Sequence, residues 1–459
     1  MTIFPFAEHA GLCKPEQEKE FRELMASDGC PKMLSHPPKA KSIKDVKYLG
    51  IFKEDDDYKA HYYIGASWLI KDKHAFVVKP KIDNVDYINL FMTALKMNSE
   101  NEAEYFSNYY YIDFNEPAIK TDSLDDVITP LLILHYISLL RHLVTRGLKK
   151  GYVVKEENLQ SKIRGRILLQ KHLTKNVFTK REDHVYCRFQ EFTEDIPENR
   201  ILKKALSFSV RFINGFGSFK NHVDELNKAL SFITPAFENV SEDVTISQVA
   251  KINAGKIFRH YEAAIKVAKM ILRHFDYSID KMTGDIREVR PFCIDMPRLY
   301  EMYVLNLLRR TYGNEIQFQV LGCRKTHVDY IKTSNNEKLI IDAKYKPQYN
   351  EGNKGILDDI REISGYARDK KILKRLGYAE QNKSGYDFPK CLIIYPDPKT
   401  KFEDEDGGEK DEDMIEKKGE FLKSGLLDDP CIKRIPGFEN FYKIAVPLPL
   451  MNVRFNHNR

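Results

Sequence analysis

A chain of 459 residues, 42% apolar and 31% charged, is long enough for two to four domains and apolar enough to bury real cores, as a soluble protein does. Its formal net charge of +6 is mild: it permits nucleic-acid binding without arguing for it, because such binding depends on where the charges cluster. No apolar run looks long enough to cross a bilayer, since the most apolar stretch, Ile128 to Leu148, is interrupted by Arg141, His142 and Arg146.

The N-terminus, MTIFPFAEHAGLCKPEQ, lacks the basic start, apolar core and small-residue cleavage site of a signal peptide. The seven cysteines (Cys13, Cys30, Cys187, Cys293, Cys323, Cys391 and Cys431) are odd in number, scattered and without a C-x-x-C pair. That argues against a disulfide framework and against a zinc site. A reducing cytoplasm is the expected compartment.

Residues 1–125 read as a mixed, strand-rich domain. His61–Leu69 and His74–Val78 are rich in aromatic and β-branched residues, with a Lys71-Asp72-Lys73 turn between them. The tyrosine-rich tract Glu100–Tyr111 reads as a half-buried strand or loop rather than a base-stacking platform. Residues 126–284 read as a helical region. A long helix over 128–150 carries Leu132, Leu139 and Leu143 at helical spacing and ends at Gly147, and helical periodicity returns over 197–235 and 242–276. Between them, 151–195 holds no long periodic element. Lys162, Arg164, Arg166, Lys171, Lys175, Lys180 and Arg181 are interleaved there with apolar positions, which predicts a basic region of short elements projecting from a helical framework. Residues 285–459 form the third expected domain, patterned from Asp295 as helix, three strands, helix, strand. The acidic stretch 403–418 (EDEDGGEKDEDMIEKK) reads as a solvated loop. The expected fold class is α/β and α+β multidomain.

The chemistry is concentrated in that last domain. Along the strand Glu337–Lys346 (EKLIIDAKYK), alternation puts Leu339, Ile341, Ala343 and Tyr345 on one face and Ile340, Asp342, Lys344 and Lys346 on the other. An acid and two lysines on one face of a hydrophobic strand suit a site that holds a divalent cation beside a phosphate. Asp342 would ligate the ion, and Lys344 would orient the attacking water and offset charge on the phosphate. A hairpin through Thr333–Asn336 sets Asp329, on the preceding strand, beside Asp342. Two carboxylates so placed repel unless a cation lies between them. Glu301 lies on the helix from Asp295 to about Arg310, along the apolar stripe of Val304, Leu305 and Leu308, where a carboxylate wants a partner. Asp295 is the expected N-cap, Pro297 fits the first turn and Gly313 follows the end. On the helix around Ile356–Leu373 the core stripe is Ile356, Ile360, Ile363 and Ala367, with Asp359, Glu362 and Tyr366 on a flanking stripe. The plainer alternative is a structural ion pair for Asp342 and Lys344, and a solvent-reaching carboxylate for Glu301. The ordered set of helix-Glu, strand-Asp, strand-Asp-x-Lys and helix is harder to obtain by accident. No G-x-x-x-x-G-K-[ST] is present, so this chain is not expected to bind a nucleotide.

This order of motifs resembles the PD-(D/E)xK nuclease superfamily and, within it, the McrC family, the nuclease subunits of McrBC-type modification-dependent restriction systems. The resemblance is carried by Leu299-Tyr300-Glu301-Met302-Tyr303-Val304, His327-Val328-Asp329 and Ile341-Asp342-Ala343-Lys344-Tyr345-Lys346. Upstream, Ile163-Arg164-Gly165-Arg166-Ile167 and Phe192 to Arg200 look like the family's central segments, so the likeness runs from about residue 130 to 400. The chain departs from the superfamily at Glu362, where Gln often stands, and at Val328, where its name has Pro.

The resemblance implies a restriction-endonuclease-like C-terminal domain with Glu301, Asp329, Asp342 and Lys344 as the catalytic set. It implies Mg²⁺ or Mn²⁺ held by Asp329, Asp342, the Ala343 carbonyl and Glu301 through a water, with Lys346, Glu362 and Tyr366 as auxiliaries. It also implies a McrB-like AAA+ GTPase hexamer as partner, which binds the GTP. The region 151–195 would be a finger entering the motor ring and stimulating GTP hydrolysis, with Arg164 and Arg166 touching the ring. The implied substrate is methylated double-stranded DNA, cut in phage defence away from any membrane, with nuclease subunits dimerising in the full complex. Two other readings stay open: a stand-alone repair or processing nuclease of the same superfamily, and a non-catalytic scaffold that activates a motor.

Overall fold

The computed structural model describes residues 1–8, 10–27, 51–54, 57–82, 85–95, 109–120, 128–215, 219, 222–244, 259–278, 288–334, 337–346, 354–378, 388–397, 421 and 425–450. The acidic stretch 403–418 lies outside the described residues, as do most of the tyrosine-rich tract and residues 245–258 of the expected helix over 242–276. The chain divides into two compact units, one made of residues 1–128 with 284–459 and the other of residues 129–283.

The N-terminal segment supplies β1 (Thr2–Ala7), α1 (Glu18–Ala26), β2 (Ile51–Glu54), β3 (Asp57–Ala60), β4 (Tyr63–Ile70), β5 (His74–Lys79), α2 (Tyr87–Ala94), β6 (Tyr110–Ile112) and β7 (Ile119–Lys120). The middle segment contains α3 (Ile128–Arg146), β8 (Gly151–Gln160), β9 (Arg166–Ile167), α4 (Leu169–His172), β10 (His184–Thr193), α5 (Pro197–Gly215), α6 (Val223–Ile233) and α7 (Arg259–Ser278). The C-terminal segment adds β11 (Glu288–Val289), β12 (Phe292–Asp295), α8 (Met296–Tyr312), β13 (Ile316–Leu321), β14 (His327–Thr333), β15 (Lys338–Ala343), α9 (Lys354–Tyr366), α10 (Lys370–Arg375), β16 (Lys390–Pro396), β17 (Lys433–Arg434) and β18 (Phe441–Val446).

In the first unit, a five-stranded sheet runs in the order β1-β5-β4-β12-β6. Its fourth strand, β12, follows residues 129–283 in the sequence, so the N-terminal sheet is not closed by residues 1–125 alone. The boundary expected at 285 thus does not separate two independently packed bodies. Gly65 on β4 has φ +147°, and a Cβ there would come within 2.0 Å of the Phe292 carbonyl oxygen on β12. Only a glycine lets these two strands pair so closely.

Asp295, the last residue of β12, caps α8 by accepting the Arg298 N–H at 3.3 Å. Pro297 sits in the first turn, and Gly313 ends the helix at φ 54°. This is the start and stop that the residues anticipate. The helix leads into a six-stranded sheet in the order β13-β14-β15-β16-β18-β17. β13, β14 and β15 are antiparallel, whereas β15, β16 and β18 run parallel. The expected pattern after β15 stopped at one strand, β16; β18 lies outside it and adds the buried Ile444 and Val446. α9 lays Ile356, Ile360 and Ile363, with Ala367 just past its end, on Val328, Ile340 and Ile393 of the sheet. On the opposite face the Tyr330 hydroxyl donates to the Glu301 carbonyl of α8 at 2.7 Å.

In the second unit, α3 is long and apolar enough by length and composition to cross a membrane, with a mean hydropathy of 1.4, which corrects the expectation that no run was. Of that stretch, 72% is buried, and Tyr136 within it donates to the Leu202 carbonyl of α5 at 2.6 Å, as in the core helix of a bundle. A larger correction concerns 151–195. Instead of short elements, β8 and β10 are ten-residue strands paired along their whole length, from Gly151 opposite Thr193 to Gln160 opposite His184, and β9 pairs with β10. The sequence hides this two-residue period because the exposed face carries Tyr152, Val154 and Phe192 while the half-buried face carries Lys155 and Glu191. Its small core is Leu159, Cys187 and Phe189, with Ile167 and Val185 against it. Gly165, at φ +64°, turns the chain where a Cβ would meet the Arg188 carbonyl oxygen at 2.5 Å.

Candidate active site

Three elements bring the acidic residues and the lysine together. The register that pairs Tyr330 with Ile341 sets Asp329 opposite Asp342 one step further along. The Ala343 N–H donates to the Asp329 carboxylate at 3.0 Å. The Lys344 ammonium stands 2.8 Å from Asp342 Oδ2 and donates to Glu362 Oε2 at 2.9 Å. The Tyr366 hydroxyl donates to the other Glu362 oxygen at 2.9 Å, and Lys346 binds both oxygens of Asp359 at 2.7 and 2.9 Å. Glu362 and Tyr366 therefore stand beside the lysine, on the stripe the helix spacing indicates.

Glu301 joins the group from α8 through charge rather than through a shared hydrogen bond. Its carboxylate accepts from the Gln319 side chain at 3.3 Å. Gln319 has φ 49° and is passed over by the β13–β14 register, so a strained residue opposite Asp329 reaches the acid. Alternation along β13 did not mark Gln319, because its placement depends on that irregular backbone.

Charge crowding shows in the titration behaviour. Burial first, then Asp295 and Asp342, push Glu301 up to about 8 against the pull of Arg298 and Lys344. Burial, then Glu301, push Asp329 up to about 8, offset by Lys344 and the Ala343 N–H. Asp342 is raised well above the carboxylate range by burial and by Asp329. Burial alone would lower Lys344, but Asp342 and Glu362 hold it above the ordinary lysine value. Burial first, and then mutual repulsion, favour the protonated forms of these carboxyl groups.

Among the described residues, no group of three or more His, Cys, Asp or Glu side chains is arranged to hold a metal ion as it stands. The donor set nevertheless fits a hard divalent ion. It consists of carboxylate oxygens with raised proton affinity, and the buried Asp342 Oδ2 is already met by a cation, the Lys344 ammonium 2.8 Å away.

Arg164 and Arg166 lie on the ribbon. Arg164 stacks on the Phe189 ring at 4.2 Å and lies 3.5 Å from Glu191, while Arg166 pairs across β9 and β10 with Arg188. In the same segment Ile163, Leu169, Leu173, Val177 and Phe178 are exposed, Phe178 at 76%.

Fold and site define a mixed helix-and-sheet multidomain protein whose six-stranded sheet carries a buried acid–lysine cluster. Residues 59–360 match the McrBC 5-methylcytosine restriction system component family, and the chain belongs to that family. Among solved structures it is similar to a half-complex from the tetradecameric assembly of Thermococcus gammatolerans McrB AAA+ hexamers with bound McrC. The identity is 16% over 98% of this chain and 95% of that chain, with a TM-score of 0.40. It is also similar to the McrBC complex of Thermococcus gammatolerans, at 15% identity over 68% of this chain and 88% of that chain, with a TM-score of 0.30. No curated protein matches.

Proposed function

We propose that this chain is the nuclease subunit of a McrBC-type restriction complex. In this reading it is a Mg²⁺- or Mn²⁺-dependent endonuclease that cuts methylated double-stranded DNA in the cytoplasm when assembled with a McrB-like AAA+ GTPase hexamer, and its C-terminal domain is of the PD-(D/E)xK type. The observation that carries this is the pairing of Asp329 with Asp342 next to Lys344, on adjacent strands, within reach of the charge of Glu301. Family membership supports the setting.

Asp329, Asp342 and the Ala343 carbonyl would hold the ion, with Glu301 acting through a water. The bound ion supplies Lewis acidity beside the scissile phosphate. Lys344 orients the attacking water and offsets the negative charge that builds on the phosphate. Glu362, steadied by Tyr366, keeps the ammonium charged and in place. Asp359 holds Lys346 as a second cation along the same strand. GTP is bound by the partner. The ribbon of β8, β9 and β10 is the finger that reaches the motor and stimulates its hydrolysis, with Arg164, Arg166 and the exposed apolar residues as contacts, and nuclease subunits dimerise in the full complex.

Asp342→Ala and Lys344→Ala are expected to lower cleavage of methylated DNA by the assembled complex by on the order of a thousandfold. Stimulation of the partner's GTPase should stay intact. Cleavage that survives in both variants would remove the site assignment.

A further inference from the structure

A buried ion pair outside the catalytic set reaches the site from the N-terminal sheet. Glu8 follows β1 and Lys81 follows β5, and because these strands run parallel side by side, their ends coincide. The Glu8 side chain is wholly buried and that of Lys81 is 13% exposed. Glu8 Oε2 accepts the Lys81 main-chain N–H at 3.3 Å, and Oε1 lies 3.9 Å from the ammonium. The Lys81 ammonium donates to the Tyr345 main-chain carbonyl at 2.8 Å. It stands over the rings of Tyr345 and Tyr62, at 4.1 and 4.7 Å from their centroids.

Tyr345 is where the chain leaves β15. The Lys344 N–H still donates to the Ile394 carbonyl on β16, but the Lys346 N–H turns back onto the Lys344 carbonyl. Glu362 and Asp359 grip the side chains of Lys344 and Lys346 from α9. Lys81 grips the main chain between them. Burying an ammonium and a carboxylate is costly, and burial pulls Lys81 down to about 8 and pushes Glu8 up to about 7. Apolar residues of the same volume would hold a fold at least as well, so such a pair is better explained by what it fixes than by stability.

We propose that Lys81, held by Glu8, is a positioning residue for the nuclease reaction: through the Tyr345 carbonyl it fixes the main chain that presents Lys344, and so makes the N-terminal sheet part of the active site. This rests on the nuclease reading given above. The link is physical because a displacement of about 1 Å at a catalytic group costs up to roughly a hundredfold in rate.

The test uses the full chain with its GTPase partner, GTP, Mg²⁺ and methylated DNA, comparing wild type, Lys81→Met and the double variant Glu8→Gln/Lys81→Met. Lys81→Met should lower kcat by about 10- to 100-fold with KM for DNA unchanged. The amides of Lys344 to Lys346 should exchange hydrogen faster while the rest of the chain keeps its protection. The double variant, which leaves no unpaired buried charge, should regain thermal stability but not rate. Unchanged exchange at Lys344 to Lys346 in Lys81→Met, or a rate that recovers with stability in the double variant, overturns the proposal. If wild type itself does not cleave, the nuclease reading falls, and the exchange comparison still decides whether Lys81 holds the segment.

Discussion

At Glu301 and Asp329 the carboxyl groups titrate near 8, against ordinary values of 4.5 and 3.8, because burial and neighbouring acids disfavour their charge. A carboxyl whose pKa is higher folded than unfolded stabilises the fold while it is protonated. That contribution is complete below the unfolded values and is lost as pH rises through about 8. Without divalent ions, stability should therefore fall across this window. Asp342→Asn removes one of the crowded acids, so it should raise the melting temperature at pH 8 by about 1 °C, the equivalent of roughly 1 kcal/mol in a chain this long. The gain should shrink towards pH 5. Calorimetric melting of both proteins at the two pH values checks this, and a gain that grows on acidification would contradict it. Asp342 and Lys344 were legible in the sequence because strand alternation isolates them on a hydrophobic strand, and Glu301 because it interrupts an apolar helical stripe. Glu8 and Lys81 were not: Lys81 meets Tyr345 across 264 positions of sequence, and nothing local marks that contact.

Among the elements, α8 and α9 follow from their residues, since caps and apolar stripes are local signals. The ribbon of β8 and β10 does not. A strand shows itself by alternation when its apolar residues line the buried face, and here Tyr152, Val154 and Phe192 are exposed while the half-buried face holds Lys155 and Glu191. Those exposed positions set the next expectation. Leu169 is 69% exposed and Phe178 76% exposed, so replacing both with Ser should leave the melting temperature of the isolated chain unchanged. Stimulation of the partner's GTPase should drop by roughly tenfold or more, as loss of apolar anchors at an interface does. A GTPase assay with wild-type and doubly substituted protein decides it; undiminished stimulation would move the contact away from this ribbon.

For the whole molecule, composition and periodicity pointed to separate N-terminal and C-terminal domains, yet β12 completes the N-terminal sheet and hands the chain directly to α8. Pairing between strands more than 200 residues apart leaves no trace in local pattern, apart from the glycine at 65 that permits it. The same continuity delivers Glu301 to Asp329 and Asp342. The central claim, that this convergence is a divalent-ion site, is tested most directly by calorimetric titration of the full chain with Mn²⁺ at pH 8. Wild type should bind, Asp329→Ala and Asp342→Ala should lose binding, and Lys344→Ala should retain or strengthen it because an ammonium no longer competes for Asp342. Equal binding in all four proteins, or none in wild type, would contradict the account.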